Sequence, residues 1–217
     1  MSTPIVDGAK APSTWVCFAV REEAKHFQAK PHQKVIITGM GRMNASTAVE
    51  KAYKQGPPPQ LVVTCGFAGG LNPKIESSAI VFDADYSSGL EEKLIKAGGQ
   101  SARFFCATRV AITAEEKHRL WLNTGMDAVE MESEAVRDFC IDMAIPSATI
   151  RVISDNAHED LPLDFNVLMN AEKRLNYGRL GLTLIRSPRL IIELMAFQGR
   201  TVTAAEALGK CLMAALP

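Results

Sequence analysis

Two acidic residues stand in short segments whose residue types and spacing could do chemistry. Glu132 lies in the segment VEMES, and Asp155 ends the segment RVISD, 23 residues further along the chain. Between them the sequence predicts one helix, a turn at Ile145-Pro146 and an apolar strand that ends at Asp155. Open α/β sheets bind ligands at the carboxyl edge of their strands. Asp155 is therefore a candidate for a carboxylate held in a cleft at that edge.

Each of these carboxylates also has a structural interpretation. An Asp at the end of a strand often caps the segment that follows it. A Glu early in a helix often interacts only with the helix dipole. Taken one at a time, Glu132 and Asp155 therefore fit structural roles, and a shared substrate site for them depends on the segments as a pair.

The elements that would position these residues alternate between strand and helix. Apolar runs predict strands at 14–20, 34–41, 60–71, 77–86, 102–111 and 147–154. Helical patterns fall at 21–29, 44–55, 113–125 and 133–144, and after Asp155 at 161–175, 178–187 and 188–198. Such alternation predicts an α/β fold with a mixed, largely parallel central sheet flanked by helices, and a helical C-terminal third. We expect one domain over residues 13–217, after a flexible N-terminus at 1–12.

Local signals mark the ends of several predicted helices. Thr113 followed by Glu116 is a capping box for the helix that Gly125 should end. Ser187-Pro188 predicts the start of the last helix.

Composition narrows the classes of function. The chain has 217 residues, 24 basic and 24 acidic, so it lacks the basic excess of a nucleic-acid binder. Its 5 cysteines are scattered, which favours free thiols in a reducing compartment, and we expect a soluble cytoplasmic protein. The sequence shows no apolar run long enough for a membrane span and no secretory signal. Its 4 histidines have no metal-binding spacing, and His158-Glu159 lacks a second histidine, so we expect neither metal nor organic cofactor.

Four segments together resemble the purine nucleoside phosphorylase and nucleosidase family. They are AVREEA, GMGRMNA, CGFAGGL and the pair VEMES/RVISD. The resemblance implies cleavage of the bond between a ribose and a base. It gives Asp155 the role of acid toward the leaving base, Glu132 that of holding the ribose hydroxyls, and Glu23 that of activating water. It also implies a homodimer. Glu23 could instead belong to the solvated start of a charged helix, and Arg21 could hold phosphate.

The same resemblance places further residues around the substrate. Met40 and Gly41 in the first glycine motif, and Met131 beside Glu132, would line the pocket. The second motif would contribute Phe67, Ala68 and Gly69, and Phe165 would stand at the pocket edge. Met40 and Phe165 could as easily be core residues, and a glycine motif can be only a tight strand-to-helix turn.

Two departures from the family pattern bear on the reaction. Phe67 stands where phosphorylases carry a serine that helps to bind phosphate, which favours water over phosphate as the nucleophile. The segment between Tyr86 and Thr108 is shorter than in the better-known nucleosidases, so base-contacting residues cannot be carried over. A phosphorylase with phosphate as co-substrate is the alternative enzyme, and an inactive nucleoside-binding module is the alternative of another class.

The compact segment RVAITAEEKHRL and the tail SPRLIIELM resemble the hopanoid-associated nucleoside phosphorylases. That branch implies adenosylhopane as the substrate, with release of adenine from a ribose that carries a large apolar 5′ substituent. The apolar stretch LIIELMAF would then offer an apolar mouth to the site, although ordinary amphipathic packing explains the same pattern.

Overall fold

The computed structural model describes residues 14–170, 173, 176–187 and 189–217. The predicted flexible segment 1–12 and the predicted first-turn Pro188 lie outside the described residues. Within the described ranges the chain forms an α/β fold with a mixed, mostly parallel central sheet, flanked by helices and followed by a helical C-terminal region. The predicted fold class is therefore confirmed.

Within the described residues, eight strands form the sheet. They are β1 (Thr14–Phe18), β2 (Gln33–Ile37), β3 (Leu61–Gly70), β4 (Ile80–Ala84), β5 (Gln100–Ser101), β6 (Phe104–Cys106), β7 (Ala128–Glu130) and β8 (Ser147–Asp155). The main path runs β2-β1-β3-β8-β4-β5, and β7 pairs with both β3 and β6. Every residue of β8 is buried, which is typical of a central strand covered on both faces.

The neighbouring strands β3 and β8 bring the two predicted motifs together. They run parallel, and the register shifts between Ala68 and Gly69, so that Gly69 lies opposite Asp155. β7 pairs antiparallel with the same end of β3, with Gly69 opposite Val129. The second glycine motif, the strand before Glu132 and the end of RVISD therefore meet at one edge of the sheet.

In the part of the chain that the structure describes, eight α-helices surround the sheet. They are α1 (Arg21–Ala24), α2 (Arg42–Lys54), α3 (Glu91–Lys96), α4 (Ala114–Thr124), α5 (Ser133–Asp142), α6 (Phe165–Leu168), α7 (Tyr177–Arg186) and α8 (Arg189–Ala215). One core cluster joins the sheet to the C-terminal half of α8 through residues such as Phe18, Ile150 and Leu208. Another joins the sheet to α2 and α5 through residues such as Trp15 and Val136. Burial of these apolar side chains is the main stabilising contribution.

Most of the long predicted elements are confirmed, and their local signals explain their ends. The Thr113 hydroxyl accepts a hydrogen bond from the Glu116 backbone N–H at 3.1 Å, and Gly125 ends α4 with φ 64°. The second half of the capping box is different, because the Glu116 carboxylate accepts from the Ile112 N–H rather than from Thr113.

Several sequence predictions of elements were wrong in extent. The helix predicted at 21–29 is the single turn α1, and the chain departs from it where the His26 carbonyl packs against Gly209 of α8. The helix predicted at 161–175 is reduced to α6 in the described residues. The strand predicted at 102–111 shortens to β6, while α3, β5 and β7 were not predicted. Short elements whose partners are distant in sequence carry little periodicity of their own.

Candidate active site

Glu23 is a buried carboxylate in α1, the single turn after β1, and is held by backbone donors. One of its oxygens accepts hydrogen bonds from the N–H groups of Ala19 and Val20, at 2.9 and 3.1 Å. Its other oxygen accepts from the Phe67 N–H at 2.8 Å. Burial raises the pKa of Glu23, against the opposing effects of Arg151 and these three hydrogen bonds. The result is a fixed carboxyl group with raised proton affinity, which suits a general base.

Gly66 allows this arrangement because it leaves the space that a side chain would fill. A Cβ at position 66 would lie closer than 3.0 Å to Glu23 Oε1 and to Arg151 Nη1. The β3 backbone therefore passes directly beside both charged groups, and a glycine is needed for that close approach.

Arg151 is the cation at the centre of a cluster of three carboxylates. It projects from β8, and its side chain is buried. Its Nη2 lies 2.6 Å from Glu130 Oε2 and 3.5 Å from Glu132 Oε2. A buried charge is tolerated when it is paired and hydrogen-bonded. Arg151 therefore ties together Glu130, Glu132 and, across Gly66, Glu23.

Glu130 and Glu132 have different environments although they are two residues apart. Glu130 accepts hydrogen bonds from the Glu132 and Ser133 N–H groups and from the Ser133 hydroxyl. Although burial acts to raise its pKa, the adjacent Arg151 guanidinium and these hydrogen bonds lower it overall. Burial raises the pKa of Glu132 to about 7, against the opposing charge of Arg151 and with the help of Glu130 and Glu23. Glu130 is thus the constant anion, and Glu132 is the group that titrates near neutrality.

Glu132 also connects the cluster to the first glycine motif. Its Oε1 accepts a hydrogen bond from the Gly41 N–H at 2.8 Å. Gly41 has φ 87°, a conformation that glycine adopts at little cost, and it precedes α2 directly. The glycine motif therefore positions a backbone donor on the carboxylate that the sequence resemblance assigns to the ribose.

Asp155 lies at the end of β8 in a second cluster of buried polar side chains. Its Oδ1 accepts a hydrogen bond from the Ser154 hydroxyl at 2.6 Å, and its Oδ2 forms an ion pair with Lys117 of α4. The Lys117 ammonium also donates to the carbonyl oxygens of Asn156 and Glu159, each at 2.8 Å. Lys117 is completely buried, so all of its described partners are protein groups around Asp155.

The pKa of Asp155 results from opposing effects. Burial raises it, the Lys117 ammonium and the Ser154 hydroxyl oppose this, and the Glu159 carboxylate adds to the rise. The net direction is upward, so burial outweighs the ion pair. A carboxyl group with a raised pKa holds its proton more firmly than an ordinary aspartic acid, which suits a general acid.

A cavity of about 340 Å³ opens next to the Arg151 cluster. Of the residues predicted to bind the substrate, Met40, Gly41 and Met131 line it, together with Met43, Ala107 and Thr108. Lys173 lies over it and donates to the Thr108 carbonyl at 3.0 Å. Its volume falls in the range of small-molecule sites, and three methionine side chains make much of its wall apolar.

The remaining predicted residues are not among those that line this cavity. Phe67, Ala68 and Gly69 lie beside the buried carboxylates, whereas Phe165 packs on α8. The Phe67 ring is partly buried against the core, while its backbone N–H holds Glu23. The Ala68 carbonyl accepts from the Ser154 hydroxyl at 3.3 Å, and a Cβ on Gly69 would lie 3.4 Å from Asp155 Oδ2. Phe165 begins α6, and its ring centroid is 6.0 Å from that of Phe197 in α8. The second glycine motif therefore acts mainly through its backbone.

Three residues of the site were missed by the sequence analysis. Glu130 ends β7, two positions before Glu132, and a strand of three residues carries too little periodicity to single it out. Arg151 is a charged residue inside an apolar strand, which itself indicates a buried partner. Lys117 carries no such signal, because its burial depends on the backbone that follows Asp155.

The described residues form neither a metal-binding cluster nor a membrane-spanning helix. No group of three or more metal-ligating side chains lies close enough together to hold a metal ion in that part of the chain. None of the described helices combines the length and apolar character needed to cross a bilayer.

A family model described as the phosphorylase superfamily matches residues 78–186, which is half of the chain. The chain belongs to the phosphorylase superfamily, and it is an enzyme of the N-ribosyl hydrolase or nucleoside phosphorylase type, as the motifs predicted.

The chain also resembles individual proteins whose activities are known. A 5′-methylthioadenosine/S-adenosylhomocysteine nucleosidase of Shewanella loihica is 25% identical over 170 residues, covering 62% of this chain and 74% of that protein. The futalosine hydrolase structure of Helicobacter pylori matches with a TM-score of 0.63 and 16% identity, covering 94% and 96% of the two chains. The Neisseria meningitidis 5′-methylthioadenosine/S-adenosylhomocysteine nucleosidase, in complex with methylthio-immucillin-A, matches with a TM-score of 0.64 and 16% identity, covering 93% and 96%. These structural matches establish the shared fold.

Proposed function

We propose that the enzyme hydrolyses the N-glycosidic bond of an adenine nucleoside that carries an apolar 5′ substituent. The observation that supports this proposal is the presence of two clusters of buried charged side chains at one edge of the sheet. Glu23 with Arg151 forms one of them, and Asp155 with Lys117 forms the other. Glycosidic hydrolysis needs a proton donor and a base on opposite sides of the sugar. The curated and structural relatives named as nucleosidases and hydrolases support the same reaction.

In this mechanism the base and the acid have separate sites. Glu23 takes a proton from water, whose oxygen forms the new bond to the anomeric carbon. The bond from that carbon to the purine nitrogen breaks, and its electron pair leaves with the base. Asp155 donates a proton to the departing base. The raised pKa values of both groups favour these proton transfers, since a base holds its proton better and an acid keeps its proton longer.

Glu132 would hold the ribose. A carboxylate accepts hydrogen bonds from two neighbouring hydroxyls, and the Gly41 N–H and Arg151 fix the orientation of Glu132. Such contacts strengthen as the sugar becomes oxocarbenium-like. Met40, Gly41 and Met131, which line the cavity beside Glu132, would contact the sugar and its 5′ side. Phe67, Ala68, Gly69 and Phe165 complete the proposed set of substrate-binding residues.

The 5′ substituent is the finer part of the proposal. Met40, Met43 and Met131 in the cavity wall suit an apolar group, because methionine adapts to irregular apolar shapes. The resemblance of the middle segment and the tail to the hopanoid-associated enzymes supports adenosylhopane in particular. No organic cofactor or metal takes part in this mechanism. A cytoplasmic homodimer, with its sites near the subunit interface, completes the proposal.

Adenine release from methylthioadenosine, adenosylhomocysteine and adenosylhopane, each with and without phosphate, tests this function. We expect release without phosphate and no ribose 1-phosphate, with the highest kcat/KM for the apolar substrate. Release only with phosphate would establish a phosphorylase, and tight binding without turnover would establish a binding module.

Matched variants connect the result to the residues. Glu23→Gln should abolish hydrolysis, whereas Glu22→Gln, one position away and exposed, should leave it unchanged. Equal activity of the two variants would contradict the role of Glu23. Unchanged kcat in Asp155→Asn would contradict the role of Asp155.

A further inference from the structure

The N-terminal half of α8 and the neighbouring helix α7 lie outside the buried core. From Arg189 to Thr203 none of the residues of α8 is buried, whereas Ala204 and Leu208 enter the core. At 1.5 Å per residue this exposed part is about 22 Å long. We call α7 and residues 189–203 the helical arm.

The arm exposes several large apolar side chains to solvent, which is unfavourable unless another surface covers them. Ile185 of α7 is 79% exposed, and Ile192 and Met195 of α8 are 74% and 67% exposed. Ile192 and Met195 are three positions apart, so they share a face of the helix. Tyr177, Leu182 and Ile191 add further exposed area in the same arm. Apolar side chains that are concentrated in one element indicate an interaction surface.

The charges of the arm restrict its partner. Residues 177–200 contain four arginines and one glutamate, although the whole chain has no net charge. Arg179 and Arg189, on α7 and α8, are both exposed. Arginines flanking exposed Ile, Leu and Met are typical of helices that lie in the interface of an anionic bilayer, where the apolar face enters the acyl boundary and the cations meet lipid phosphates.

We propose that the helical arm docks the enzyme on an anionic membrane surface. The arm would lie along the interface without spanning the bilayer, with Ile185, Ile192 and Met195 inserted and Arg179 and Arg189 at the headgroups. The arm contacts α6, because the Phe165 ring centroid lies 6.0 Å from that of Phe197, and Asn166 of α6 exchanges hydrogen bonds with Val110. The inference concerns binding of the protein to lipid and does not depend on the proposed reaction.

Co-sedimentation of the full chain with vesicles tests this inference without any substrate. We expect binding to vesicles of phosphatidylcholine mixed with phosphatidylglycerol, weaker binding to phosphatidylcholine alone, and a decrease as salt is raised. The double variant Ile192→Asp/Met195→Asp should reduce the partition coefficient by at least about tenfold. Arg189→Glu should reduce it by about fivefold or more, and only on anionic vesicles.

The matched control is Leu122→Asp/Ile141→Asp, which changes two apolar residues that are 65% and 68% exposed outside the arm. This control should bind vesicles like the wild type, and thermal unfolding should show that all variants fold. Absence of wild-type binding, or equal loss in the control, would overturn the proposal. So would dissociation of a dimer by Ile192→Asp/Met195→Asp, without an effect on vesicle binding, because the arm would then be an interface between two copies.

Discussion

Replacement of Lys117 by methionine should change both stability and the pH dependence of turnover. Methionine has a similar length and no charge, so the variant keeps most of the packing of α4 and removes only the ammonium. That ammonium pairs with Asp155 and donates to the carbonyl oxygens of Asn156 and Glu159. The variant therefore leaves one buried carboxyl group and two partly buried carbonyls without this partner.

The expected destabilisation depends on pH. Removal of one partner from a buried ion pair costs about 3–5 kcal/mol while the other partner stays charged. Asp155 can avoid much of this cost by binding a proton, after which about 1–3 kcal/mol remains for the carbonyls. The folded-state pKa of Asp155 is already raised, and the loss of Lys117 should raise it further. A raised folded pKa contributes stability below the unfolded pKa, and that contribution is lost as pH rises through the folded pKa. The variant should therefore lose about 3–5 kcal/mol near pH 8 and about 1–3 kcal/mol near pH 5.

Denaturant unfolding at these two pH values measures the effect, with Lys96→Met as the control, because Lys96 is an exposed lysine of α3. The double variant Lys117→Met/Asp155→Asn should be more stable than Lys117→Met at pH 8, because neither member of the pair is then left charged alone. A loss of stability in Lys117→Met that is the same at both pH values would refute the argument, because it would show that Asp155 does not titrate in response to Lys117.

Turnover gives an independent readout. If Asp155 donates its proton to the leaving base, then removal of the neighbouring cation should move the alkaline limb of kcat to higher pH, by about one to three pH units. Lys117→Arg, which keeps the charge, should restore the position of the limb. An unchanged limb in Lys117→Met would show that Lys117 only supports the fold. The conclusion from the unfolding measurements would remain valid in that case, so the effects of Lys117 on stability and on turnover can be separated.

Two further predictions concern the Arg151 cluster. In Gly66→Ala the new methyl group meets Glu23 and Arg151, so we expect a loss of about 1–3 kcal/mol of stability and a fall in kcat, measured by unfolding and turnover. Gly56→Ala meets no atom within 4 Å and should leave turnover unchanged; equal losses in both variants would contradict the close approach at Gly66. The pKa of Glu132 is raised from 4.5 to about 7, so its contribution to stability is present below pH 4.5 and is lost as pH rises through about 7. Relative to Glu132→Gln, the wild type should lose up to about 3 kcal/mol between these limits, and parallel stability curves of the two proteins would contradict that shift.

The strands and their common edge could be predicted from the sequence because each long strand is an apolar run that ends at a glycine or an acid. β3 and β8 follow this pattern, and the structure places Gly69 opposite Asp155. β7 could not be predicted with the same ease, because only three residues form it and its partners lie in β3 and β6. Glu132 does lie at the start of a helix, as the N-cap of α5, but without β7 the position of Glu130 on the preceding strand cannot be seen in the sequence.

The electrostatics of the site could be predicted only in part. The sequence motifs identified three carboxylates, but the cations that accompany them come from elements that no local pattern connects. Lys117 lies on α4, 38 residues before Asp155, and reaches it only because the chain after β8 turns its carbonyls toward α4. Arg151 could have been found as a charged residue in a buried strand, but its choice of Glu130 as the nearest partner depends on β7.

The two cations explain how a buried site with several carboxylates can hold different protonation states at one pH. Arg151 keeps its nearest partner, Glu130, ionised. This fixed anion adds to the effect of burial in raising the pKa of Glu132, while burial raises the pKa of Glu23. Lys117 opposes the rise that burial gives to Asp155, so this carboxyl group is not locked in its neutral form. Environments that separate the pKa values of neighbouring acids are how one site can hold both an acid and a base. Which carboxyl groups are protonated depends on the position of each cation relative to its carboxylate. A variant that separates Lys117 from Asp155, or Arg151 from Glu130, should therefore lower turnover more than a variant that removes an apolar contact in the cavity.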